Sequence, residues 1–463
     1  MNKGDYYMSN AAGSQDKLSP MAMAAIALAI FSMHFGASCM LWPTTWGRNA
    51  GTAWPLAFAG FFISGIILPW LGYLAVSKGG GPLYTLTSLV GRKFTFLVGG
   101  LTVAALGPFF AVPRMSAAAW DAFGRSTGLE FSESAFVFSI LFQFVFYAVT
   151  YWFMYKESII IDKLSKYLVP ALILTEFFLI TYAIINPMGP QAGPNYEGNV
   201  IARGFVDGYQ TLDLTCALMF ASIIIADIKR RLGNDTPKLN YYLVLTGLLG
   251  FLFMACIQCG EMYRGSTASV TLPDVNYAKL SMTMVMEQIG GVVTVFFNLC
   301  LILACLTTAI GILGGTASFM ASAAEGRLKF ATACLICCVL SMFTGIVGLD
   351  TIVKLFSPVM SFMYPPCIAL TLCLCFATPY IGGLRGACWG TAIYGALDAA
   401  RLWMNMASGT SDSMGFFLMI PGVHDGLGFA WFMVVGWLIG HFVIWKNERF
   451  ILDPNKQADL PQY

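Results

Sequence analysis

Apolar runs long enough to cross a lipid bilayer recur twelve times along this chain, near residues 21–41, 53–76, 94–120, 135–153, 167–185 and 204–226, then 241–262, 292–320, 331–347, 351–376, 386–404 and 426–445. About twenty apolar residues make one crossing. Without water in the hydrocarbon, each backbone amide must be paired inside its own segment, so the expected fold is an all-α polytopic membrane protein. Only 11% of the residues are charged, and the mean hydropathy of +0.71 lies well outside the soluble range.

The basic residues orient the spans. Taking alternate connections as cytoplasmic puts eighteen of the 26 Lys and Arg residues on one side, leaving Arg48, Arg114, Arg125, Arg203, Arg264, Lys279, Lys354 and Arg401 outside or within the membrane. The positive-inside rule then places both termini in the cytoplasm. Residues 1–19 are polar, lack a cleavage-site pattern and read as a disordered tail, and 447–463 read as a second cytoplasmic tail. Residues 20–450 form a single transmembrane domain on this reading. A net charge of +2 gives no reason to expect a nucleic-acid partner.

Spans one to five (20–186) and six to ten (202–376) share an order of features: each half opens with an interrupted span and closes with a proline-bearing one, at Pro170 and at Pro365-Pro366. An odd number of spans per half requires the second repeat to be inverted, and residues 386–446 supply two extra helices. The connection 263–291 is the longest and carries Glu261, Arg264, Asp274, Lys279 and Glu287 in or beside it. Its length predicts a short surface helix over the outer entrance.

Within span one, Gly36, Ala37, Ser38 and Cys39 precede Pro43, and Gly36 falls near mid-depth. Close packing of small residues and an opened backbone are both compatible with such a stretch. His34 reads as packed or pore-lining. Span six carries Asp207 and Asp213 with Gly208, Tyr209 and Thr211 between them. An ionised acid at the bilayer centre costs roughly 3 kcal/mol on insertion scales, so Asp213, close to mid-depth, is expected to face a cavity or a cation. Asp207 reads as a helix-start residue nearer the outer surface. In span eight, Thr307 and Thr308 follow Ala304 and offer oxygens to a small hard cation, although threonines in membrane helices also bond their own backbone. Span three places Phe109 and Phe110 between Pro108 and Pro113, with Arg114 next. That arginine fits a gate, a carboxylate partner or an interfacial anchor equally well.

Thirteen cysteines lie mostly within apolar runs, and neither Cys256/Cys259 nor Cys334/Cys337 is completed into a tetrahedral metal site. No GxSxG, HExxH or Walker loop is present, and the histidines are His34, His424 and His441, which argues against a hydrolase or an ATP-driven pump.

Residues 107–114, 204–209, 211–213 and 364–370 resemble signature segments of the bacterial branched-chain amino acid:cation symporter family, and the resemblance runs in order from span one through at least span ten. It implies the leucine-transporter-type inverted 5+5 repeat with discontinuous helices one and six. It also implies uptake of leucine, isoleucine and valine across the bacterial inner membrane, with sodium as coupling ion and no cofactor. Carried over by motif, the sodium site would use the carbonyls of Ser32 and Phe35 with Ala304, Thr307 and Thr308. The substrate carboxylate would meet Gly36, Ala37, Ser38 and Cys39, its ammonium would face Gly208, Tyr209, Thr211 and Asp213, and its side chain would meet Phe109 and Phe110. The family's Gly-Ala-Gly-Asn and Phe-Pro-Pro are here Gly36-Ala37-Ser38-Cys39 and Trp42-Pro43-Thr44. These departures leave open a proton-coupled carrier for another apolar amino acid such as methionine, and, in a different class, a transporter-derived membrane sensor.

Overall fold

The computed structural model describes residues 17–155, 159–196, 198–232, 238–275, 279–324, 327–376, 381–410 and 413–445. The greater part of both expected tails lies outside them. Among the described residues the chain is helical and without strands, as a backbone surrounded by lipid requires.

The helices follow the twelve expected spans in order. The first is Pro20–His34 and Ala37–Ala50, the second covers 54–79, and the third is Arg92–Thr127. Next come Ala135–Tyr155, Ile159–Ile185 and the pair Val200–Asp207 and Asp213–Leu232. The second half consists of Leu239–Ser266, Gly291–Ala323, Phe330–Ile346, Leu349–Phe376, Ile381–Ser408 and Phe429–Ile444. By length and apolar composition alone, six helices qualify as membrane-crossing, and the pair bent by 46° within 200–232 makes a seventh. Span eleven, with Arg385, Asp398 and Arg401, is more polar, and Arg401 pairs with Asp398 at 2.7 Å.

Several boundaries differ from expectation for local reasons. Span one continues past Leu41 to Ala50, with Pro43 accommodated inside the second half-helix. Asp207 ends the first half of span six and does not start it; Tyr196 donates its hydroxyl proton to Asp207 at 2.9 Å. Span seven runs on past Met262 to Ser266, so Arg264 is buried in it beside Glu261 and is not part of the connection.

The anticipated surface helix is Lys279–Gln288. Arg264 holds it through Ser281, and Arg125 donates to the Thr283 hydroxyl at 2.7 Å. Burial works against the charge on Lys279, but Asp121, 3.6 Å away, and Glu130 outweigh it and hold the ammonium pKa above its usual value. Spans one and seven cross in backbone contact: a Cβ added at Gly47 would lie 1.8 Å from the Met262 carbonyl oxygen, and one at Gly265 would lie 1.8 Å from that of Thr44. Close packing of this kind holds helices together where lipid removes the hydrophobic drive between them.

Candidate functional site

Helix is lost in two places, and the chain brings them together. In span one, Phe35 (φ −81°, ψ 95°) and Gly36 (φ −124°, ψ −172°) are extended. In span six, the turn Gly208–Thr211 ends at Leu212, whose φ of 61° is left-handed. A non-glycine residue there is held against roughly 1–2 kcal/mol of intrinsic preference, and such strain tends to collect at functional positions. Glycine is needed beside each break. A Cβ at Gly36 would stand 3.2 Å from the Thr308 hydroxyl oxygen, and one at Gly208 only 2.1 Å from that of Ser64.

The breaks present opposite ends of helices. Ala37 and Ser38 open the second half of span one, where first-turn amides lack intrahelical acceptors and the helix dipole favours an anion. Cys39 is already tied into the turn through its amide, which donates to the Gly36 carbonyl at 3.0 Å. Opposite them, Asp213 heads the second half of span six and is buried. Its Oδ1 lies 3.0 Å from Nδ1 of His34, the last helical residue before the other break. His34 Nε2 lies 3.1 Å from the Tyr73 hydroxyl of span two. A proton on Nδ1 satisfies both contacts, with His34 donating to Asp213 and accepting from Tyr73. Asp213 Oδ2 is buried and accepts no hydrogen bond among the described residues, so one carboxylate oxygen is left for a further donor.

Arg114 closes the opposite side of this cradle. It is 1% exposed, which rules out an interfacial anchor. Its guanidinium donates to the Gln210 carbonyl at 2.8 Å and lies 4.6 Å from the ring centroids of both Trp42 and Phe110. It therefore clamps span three to the span-six turn between two aromatic faces. Beside it, Tyr209 stacks on Tyr364 of span ten at 4.3 Å. Phe110 packs into this clamp, whereas Phe109 is 38% exposed. Span three is kinked at Gly107–Pro108, with Gly107 non-helical.

On the far side of the span-one break, a cavity of about 270 Å³ is lined by Ser32, Phe35, Ala304, Thr307 and Thr308, together with Met33, Leu172 and Phe220. All five residues expected at the cation site thus meet around one space. The Thr307 hydroxyl donates back to the carbonyls of Leu303 and Ala304, each at 3.1 Å, while Thr308 is the hydroxyl against Gly36.

Sequence reasoning passed over His34 as a partner of Asp213 and missed Tyr73, Gln210 and Gln258. Gln258 is fully buried in span seven and donates to the Cys39 sulfur at 3.4 Å. The available signal was a buried polar side chain in an apolar span, which rarely sits there without a task.

Two interrupted helices facing one another inside inverted repeats define a secondary-transporter architecture of the leucine-transporter type. Solved structures with the same fold include one described as the inward facing conformation of Mhp1, with a TM-score of 0.64 at 12% identity over 96% of this chain and 98% of that one. Another is MhsT in complex with L-phenylalanine, with a TM-score of 0.51 at 17% identity over 93% and 99%. The family model described as branched-chain amino acid transport protein matches residues 20–447, and the chain belongs to that family. Its relatives include a branched-chain amino acid permease, BrnQ, of Corynebacterium glutamicum, 29% identical over 91% of this chain and 93% of the relative. A branched-chain amino acid permease, BraB, of Bacillus subtilis is 25% identical over 94% and 97%. The chain is thus a multi-pass membrane transport protein and not an enzyme.

Proposed function

We propose that this protein carries branched-chain amino acids across the bacterial inner membrane by sodium symport, with both termini in the cytoplasm. The observation that carries the reading is that the helix start at Ala37–Ser38 and Asp213, with one oxygen unpartnered among the described residues, lie at two breaks joined by the His34–Asp213 contact. A zwitterion needs a donor pair for its carboxylate and an acceptor for its ammonium, and the two breaks offer one of each. Gly36, Cys39, Gly208, Tyr209 and Thr211 complete the cradle, and Phe109 and Phe110 are assigned to the apolar side chain.

Sodium is assigned to the cavity lined by Ser32, Phe35, Ala304, Thr307 and Thr308, whose hydroxyl and carbonyl oxygens are the donors a small hard cation takes. In alternating access, Arg114 and the stacked tyrosines would be the outer closure, and the cavity beyond Gly36 the route inward.

The His34–Asp213–Tyr73 chain favours a second reading, in which a proton on the His34–Asp213 pair takes the place of sodium. Proteoliposomes containing the full chain decide between them. Labelled leucine is expected to accumulate under an inward sodium gradient and to be displaced by isoleucine and valine above the other amino acids. Accumulation that ignores sodium and follows a proton gradient would establish the second reading, and no counterflow at all would leave a membrane sensor.

A further inference from the structure

Away from the cradle, span five contributes one acid that the transport reading does not use. Glu176 is fully buried, and neither of its oxygens receives a hydrogen bond from any donor among the described residues. Span five packs on span seven, where Glu261, equally buried, is the neighbouring carboxylate. Glu261 is already an acceptor several times over. Thr44 donates to its Oε2 at 2.9 Å, Arg264 Nε donates to both oxygens at 3.0 and 3.1 Å, and Arg264 Nη2 donates to Oε2 at 2.6 Å.

Charge balance follows from this geometry. Among the described residues Glu261 and Arg264 are the charged groups acting on Glu176, and span eight, which also packs on span five, contains no acidic or basic residue. One guanidinium offsets one carboxylate. A second ionised carboxylate pressed against the first would be buried and uncompensated, and two carboxyl groups sharing one site do not both ionise.

We propose that Glu176 and Glu261 form a proton-binding site, in which the Glu176 carboxyl group keeps its proton and donates it to the Glu261 carboxylate. The site is separate from the substrate cradle and from the cation cavity. Through Thr44 it touches the outer half of span one, and through Arg264 and Ser281 it touches the surface helix. Losing the proton leaves two carboxylates competing for Arg264 and loosens its hold on that helix.

Infrared spectroscopy of the full-length protein in lipid tests this without reference to transport. The wild type is expected to show the carbonyl stretch of a buried carboxylic acid at neutral pH, and Glu176→Gln, whose amide still donates to Glu261, is expected to lack it. Glu261→Gln replaces the acceptor by a neutral amide and is expected to shift the band, which gives a second reading should the first variant not fold. A wild type without the band, a band that persists in Glu176→Gln, or one that Glu261→Gln leaves unmoved overturns the proposal.

Discussion

Two glycine-rich contacts in this protein do opposite work. Along spans eleven and twelve, Gly382, Gly386 and Gly390 meet Gly436 and Gly440, and a Cβ at Gly386 would stand 2.0 Å from the Gly436 carbonyl oxygen. Both helices run unbroken through that seam, and the missing side chains serve only to let two backbones approach. At spans one and six, Gly36 and Gly208 also permit close approach, but here helix is given up, and His34 beside one break meets Asp213 beside the other. Glycine alone does not distinguish a seam from a site. The difference lies in what accompanies it: an acid at mid-depth, polar side chains on the opposing spans, and a helix end aimed inward.

That contrast is sharpest when each region is damaged separately. Asp213→Ala is expected to abolish uptake, by on the order of 100-fold or more, as removal of a charged hydrogen-bonding group worth roughly 3 kcal/mol implies. Membrane insertion should be unchanged, as measured by labelled-leucine uptake normalised to protein in the membrane. Retained uptake would demote the span-six break to a structural kink. Thr308→Ala is expected to raise the sodium concentration for half-maximal uptake about tenfold, equivalent to ~1.4 kcal/mol, with leucine affinity at saturating sodium nearly unchanged. An unaltered sodium response would detach the cavity from coupling. Gly36→Ala brings a methyl group to 3.2 Å from the Thr308 oxygen and should cost a few-fold in uptake with little loss of thermal stability. Gly386→Ala should reverse the balance. Its thermal midpoint falls, while uptake per folded molecule stays within about twofold, as expected for a site remote from the chemistry. If instead Gly386→Ala lowered turnover as strongly as Gly36→Ala, seam and site would be one functional unit.

Much of this was legible beforehand. The spans, their order and the surface helix before span eight follow from apolar run length and connection length, because lipid imposes both directly. Ser32, Phe35, Ala304, Thr307 and Thr308 were grouped by resemblance alone, and all five line one cavity in the structure. The pairing of His34 with Asp213 was not legible, since 179 positions separate them and no periodicity links spans one and six. Arg264 was placed in a connection because its charge marked the apparent end of span seven, whereas its ion pair with Glu261 lets both remain buried in the helix. Arg114 admitted three readings until its partners, Gln210, Trp42 and Phe110, came from three separate spans.

By itself the sequence determined that this chain is a bundle of membrane-spanning helices and where along it the helices weaken, because the cost of unpaired backbone in lipid acts residue by residue. Only the tertiary structure decided which weak points meet, which acid keeps an open oxygen, and which charges are neutralised by a distant span. Those outcomes depend on contacts between segments far apart in the chain, and no local rule reaches across that distance.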